Sequence, residues 1–98
     1  MAQYFNITTA LTQELVAAGD SVRVSSIQLV NIHATDSVNI DLYIEKKLTG
    51  RFYLLKAVEL PVGVTLVQDN IDFDNSSKGF GLYIKLSAAD SAVDIILK

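Results

Sequence analysis

Aliphatic and polar residues alternate strictly in two places along the chain. Val38, Ile40, Leu42 and Ile44 interleave with Asn39, Asp41, Tyr43 and Glu45; Phe80, Leu82, Ile84 and Leu86 interleave with Gly81, Tyr83 and Lys85. A period of two belongs to a strand with one face on a core and the other turned outward. In each run the aliphatic set predicts the inward face. A single tyrosine, Tyr43 or Tyr83, stands on the outward face.

The rest of the chain reads as shorter strands between polar turns. Residues 4–9 are β-branched and aromatic and predict a first strand. Residues 11–18 predict a strand continuation, with a short helix capped by Thr12 as the alternative, too brief to stand alone. A turn follows over residues 17–21. Residues 22–32 form a long strand whose apolar parity slips, which places a β-bulge near Ser25-Ser26 or covers both faces. In residues 52–60, Phe52, Leu54, Val58 and Leu60 define an inward face that Lys56 interrupts, and Pro61 marks an edge or a break. Residues 62–67 resume a strand, 68–79 form a polar loop, and 93–97 close the chain. Asp41-Leu42-Tyr43-Ile44 echoes Gly81-Leu82-Tyr83-Ile84, which reads as shared strand grammar. Seven or eight short strands in one domain over residues 1–98 predict an all-β fold, an antiparallel β-sandwich of immunoglobulin-like or jelly-roll-like type.

Half the residues are hydrophobic and 19% are charged, below the roughly 25% of soluble domains. A Val/Ile/Leu-rich sandwich explains part of that excess; apolar surface kept for neighbouring subunits explains the remainder. The net charge of −3, with one local basic run at Lys46-Lys47 and Arg51, argues against nucleic-acid binding. The absence of cysteine excludes disulfides and thiolate metal sites. No apolar run approaches the roughly 18 residues of a membrane-spanning helix, so no membrane role is expected. The opening Met1-Ala2-Gln3-Tyr4-Phe5 lacks the basic-then-apolar plan of a signal peptide, so synthesis and folding in a cytoplasm are expected.

Chemistry is sparse. His33 is the one histidine, at a strand end, and reads as structural. Asp69, Asp72 and Asp74 start like a calcium loop, but Ser77 stands where the turn glycine belongs and Tyr83 where the bidentate glutamate belongs. No catalytic constellation, cofactor motif or metal set emerges, and the chain is not expected to be an enzyme. The aromatics carry more. Tyr43, Tyr83 and Tyr53 lie on outward parities and, with Tyr4 and Phe5, are the candidate interface residues. Outward tyrosines serve intramolecular packing, a ligand platform or a subunit interface; the last is favoured because tyrosine buries area at little entropic cost.

Residues 21–31, a short polar turn, and then Val38-Asn39-Ile40-Asp41-Leu42-Tyr43-Ile44 resemble small virion proteins of tailed bacteriophages, especially marine and cyanobacterial ones. In those, a strand ending in Asn leads to a V-x-I/V-D-L/V-Y strand. The stretch Leu60-Pro61-Val62-Gly63-Val64-Thr65-Leu66 is similar too, and the likeness covers roughly residues 20–70. It implies a β-sandwich structural protein repeated on a particle. The expected role is a capsid decoration or cement protein on the virion, made in the host cytoplasm. Its expected partners are the major capsid protein, other virion proteins and further copies of itself. A neck or tail component is the alternative within that class. A small carbohydrate-binding module using residues 69–79 is the alternative outside it.

Overall fold

The structure, a computed structural model, describes residues 3–8, 12–18, 23–46, 48–71, 73–74, 79–87 and 91–98. Ten strands are present among them: β1 (Gln3–Ile7), β2 (Gln13–Val16), β3 (Arg23–Val24), β4 (Ile27–Asn31), β5 (Val38–Lys46), β6 (Gly50–Leu60), β7 (Thr65–Gln68), β8 (Phe73–Asp74), β9 (Gly81–Leu86) and β10 (Val93–Leu97). No helix occurs among the described residues. The expected strand at 11–18 is therefore a strand, β2, in its described part. Two strands exceed the expected seven or eight because β3 and β8, two residues each, are too short to show a period.

The pairing follows one rule. β1 pairs with β10, β2 with β9, β3 with β8, β4 with β7 and β5 with β6, all antiparallel. These are the pairs of one long hairpin whose tip is the β5–β6 turn. Rolling that hairpin adds β10 against β4 and β9 against β5. Sheet I then runs β1-β10-β4-β7 and sheet II runs β2-β9-β5-β6, with β3-β8 as a separate ladder. The chain is an antiparallel β-sandwich, and this strand order makes it a jelly roll rather than an immunoglobulin-like sandwich.

Alternation builds the core. Ile27 and Leu29 of β4, Val93, Ile95 and Leu97 of β10, and Ile7 of β1 come from sheet I. Val38, Ile40 and Leu42 of β5, Leu82, Ile84 and Leu86 of β9, and Leu15 and Val16 of β2 meet them from sheet II. The parity slip predicted near Ser25-Ser26 is a real break: the N–H groups of both serines bond the Lys98 carbonyl, and β3 and β4 enter different ladders.

β6 keeps its predicted inward residues, Phe52, Leu54, Val58 and Leu60, and adds Leu55 to them. Its register against β5 slips between Ile40 and Leu42 and again between Leu42 and Tyr43. Leu55 thereby takes the place opposite Leu42, while Leu54 and Leu55 both pack against the core. The bulge at Lys56-Ala57 puts Ala57 at a φ of 52°, and Asp41 holds it by accepting the Ala57 N–H at 2.7 Å. Phe52 keeps inward parity but lies beyond the core's end and is largely exposed.

Buried Asn31, at the end of β4, explains why an asparagine closes that strand. Its Nδ2 donates to the Leu60 carbonyl at 2.9 Å and the Asp36 carbonyl at 3.0 Å, and its Oδ1 accepts the His33 N–H. His33 Nδ1 accepts the N–H groups of Thr35 and Asp36. His33 is thus a turn-stabilising residue, as expected. Of the acidic loop, Asp72 and residues 75–78 lie outside the described residues, as does the side chain of Asp74.

Candidate interaction surfaces

The outer face of sheet II carries the tyrosines in one row. Glu14 of β2 faces Tyr83 of β9, Tyr83 faces Tyr43 of β5, and Tyr43 faces Tyr53 of β6. The Tyr43 and Tyr83 rings stack with centroids 5.6 Å apart, and Tyr53 tilts against Tyr43 at 5.3 Å. The Arg51 guanidinium sits 4.2 Å over the Tyr43 ring, donates to the Tyr53 hydroxyl at 3.3 Å and pairs with Glu45 at 3.4 Å. The Lys56 ammonium lies 4.6 Å from the Tyr53 ring centre and 3.5 Å from the Asp41 carboxylate.

These contacts change what each tyrosine presents. Tyr43 faces outward as predicted, yet only 2% of it is exposed within the single chain. Its neighbours on the face, Arg51 and Tyr53, cover it, so Tyr43 packs within its own chain and is not presented as a direct interface contact. Tyr53 is 41% exposed and Tyr83 half-buried. The hydrogen bond from Arg51, with the charges of Lys56 and Arg51, holds the Tyr53 hydroxyl below its ordinary pKa. Burial, then the Glu14 carboxylate that accepts its proton at 3.3 Å, pushes Tyr83 above. Tyr83 also lies flat over its own strand: a Cβ on Gly81 would stand 2.9 Å from the Tyr83 ring. Only glycine leaves room for the ring there.

A second surface lies on the outer face of sheet I. Tyr4, Ile96, Gln28 and Val67 form one row across four strands, and Asn6, Asp94, Val30 and Thr65 the next. Tyr4 is 73% exposed and Val67 51%. Exposed Ile32, Val62 and Val64 sit past the end of β4 and before β7, where the Asn31 N–H bonds the Val64 carbonyl. Phe5, paired with Tyr4 as a candidate, has inward parity and packs against the core, so Tyr4 alone of the two is presented outward.

A third apolar feature escaped the sequence reading. Leu48, at the β5–β6 tip, is fully exposed and has a φ of 70°. Phe52, opposite Ile44 further down the hairpin, is exposed and tilts against Phe80, whose ring carries the Lys46 ammonium at 5.9 Å. Turn chemistry asks for glycine or asparagine at such a φ, so a leucine there was the available signal.

No family model and no curated protein matches the chain. Among solved structures it is similar to one described as the crystal structure of PirA, with a TM-score of 0.58 at 10% identity over 98% of this chain and 91% of that one. A Drosophila melanogaster CENP-C cupin domain aligns with a TM-score of 0.45 at 12% identity, over 100% of this chain and 60% of that chain. At 10% identity the likeness to PirA bears on the fold alone.

Proposed function

We propose that the chain is a structural subunit of a tailed-phage virion, a decoration or cement protein that seats on major capsid subunits. The observation that carries this reading is the outward face of sheet I. Exposed Tyr4 and Val67, with half-buried Ile96 and Val30 between them, are the apolar half of a mixed face on a side of the sandwich that its own core does not use. Large exposed apolar patches on small domains mark association surfaces. The jelly roll is compatible with this role, since it occurs in viral capsid domains, though also in lectins and cupins. The resemblance over residues 20–70 supplies the choice among those. The role is structural, with the partners being capsid subunits and further copies of the chain.

Imaging of the particles with which the protein purifies tests the reading. Density for the sandwich repeated on the shell, with sheet I toward the capsid, is the expected result. Density at the neck or tail would move the protein to that station. Purification away from any particle would overturn the proposal.

A further inference from the structure

Lys56 and Ala57 of the β6 bulge line a hollow of about 380 Å³ on the outer face of sheet II, together with Asn39 and Asp41 of β5, Lys85 of β9 and Ser87 just past it. Its size falls within the roughly 300–1,000 Å³ of small-molecule sites. The wall is strained: Ala57 carries its Cβ at a φ of 52°, and outliers of this kind collect where a chain holds a ligand.

Part of the hollow is already engaged within the chain. Asp41 accepts the Ala57 N–H through Oδ1 at 2.7 Å, and its Oδ2 lies 3.5 Å from the Lys56 ammonium, so its charge is compensated. Ser87 Oγ accepts the Asn39 N–H at 2.9 Å, and the Ser87 N–H bonds the Asn39 carbonyl at 3.1 Å. That pins the far end and leaves the Ser87 hydroxyl proton to donate. The remaining groups are uncommitted. Lys85 stands opposite Asp41 in the register and is exposed. Among the described residues, neither its ammonium nor the exposed Asn39 amide has a hydrogen-bond or ion-pair partner.

This set selects its ligand. Two ammonium groups beside one carboxylate oppose a bare cation. A bare anion would answer Lys85 but leave the donors and acceptors of Asn39, Asp41 and Ser87 unused. Sugar hydroxyls donate and accept at once, which matches that mixture. We infer that the hollow binds an acidic sugar, a uronic acid unit of a polysaccharide, with its carboxylate on Lys85 and neighbouring hydroxyls on Asn39, Asp41 and Ser87. On the virion reading sheet I meets the capsid, so this face looks outward, where a polysaccharide outside the particle can reach it. The site itself does not depend on that reading.

Amide NMR of the isotopically labelled protein tests it, with galacturonate and glucuronate titrated against galactose, glucose and acetate. Both uronates should shift the Asn39, Ala57 and Ser87 signals saturably, with a roughly millimolar dissociation constant that weakens at high salt. The neutral sugars should bind about tenfold more weakly, and acetate not detectably, because each carries only half of the recognised chemistry. Lys85→Met keeps the stem and removes the charge, so the uronates should fall to the level of the neutral sugars. Asn39→Ala should weaken both classes alike. Both side chains are exposed and hold nothing in the chain, so each variant should keep the wild-type melting temperature. A wild type that takes no sugar at these signals, acetate bound as tightly as the uronates, or a Lys85→Met variant that still prefers the uronates would each overturn the inference. Particle imaging is read separately: a chain found on capsids that takes no sugar sinks this site and spares the decoration role.

Discussion

Replacing Tyr43 by alanine tests whether the tyrosine row is part of what holds the sandwich together. Tyr43 retains 2% exposure, with Tyr53 at 5.3 Å, Tyr83 at 5.6 Å and Arg51 at 4.2 Å from its ring. Truncation removes roughly 150 Å² of buried ring, worth about 3.5–4 kcal/mol at about 25 cal/mol/Å². Compactness of the denatured chain lowers that by roughly a third, to about 2.5 kcal/mol. Two lost ring contacts add about 0.5–1.5 kcal/mol each, but Tyr53 and Tyr83 recover part by closing over the gap. The expected cost is about 3 kcal/mol out of a total of about 5–15. It should equal that of Leu42→Ala beneath it in the core, at about 2–5 kcal/mol. Urea unfolding followed by far-UV circular dichroism is the assay, because the chain has no tryptophan. A loss under about 1 kcal/mol with an unchanged denaturant slope would refute the packing of this row. So would a double-mutant cycle with Tyr83 showing no coupling, where about 0.5–1.5 kcal/mol is expected.

Asn31→Ala should cost about 2–4 kcal/mol, since it strands the Leu60 and Asp36 carbonyls and the His33 N–H at the end of β4; a loss below about 1 kcal/mol by the same unfolding assay would contradict that role. In an alkaline titration followed by NMR of the ring carbons, Tyr53 should ionise before Tyr83, because Arg51 lowers the first while burial and Glu14 raise the second. The reverse order would refute both assignments. Tyr83 has a folded pKa above its unfolded value near 10, so its stabilising contribution is fully present below about pH 10 and is lost as pH rises through the folded value. Leu48→Gly should stabilise the isolated chain by about 0.5–1 kcal/mol, because glycine relieves the positive φ at a site where leucine buries nothing; a lower melting temperature would show that the leucine is held by contacts within its own chain.

The two alternating runs were legible because each has one face on the core and one outward. β5 and β9 are where the pattern placed them, and Tyr43 and Tyr83, read as linked, lie in direct register. Parity reports a direction and not what covers a side chain. It therefore missed that Arg51, two residues before Tyr53 on the same face, lies over Tyr43. On β6 the inward residues were legible, but the addition of Leu55 was missed for a related reason. Its two slips against β5 bring both Leu54 and Leu55 to the core, and the Asp41–Ala57 bond that holds the bulge joins residues distant in sequence. The slip at Ser25-Ser26 was visible because it breaks an otherwise regular apolar pattern. That it sends β3 and β4 into different ladders depends on Lys98, at the far end of the chain.

The rolled hairpin has a consequence during synthesis on the ribosome. β10, the last-made of the ten strands, lies between β1 and β4 in the middle of sheet I. Until residues 93–97 emerge, β1 has no neighbour, and the inner face of β4 lacks Val93, Ile95 and Leu97 beside it. The nascent chain can close its β5–β6 hairpin early, since those partners are adjacent in sequence. Completion of the sandwich waits for β10, so the native core cannot be acquired until residues 93–97 have been made. A premature stop before residue 93 would leave sheet I split down its centre.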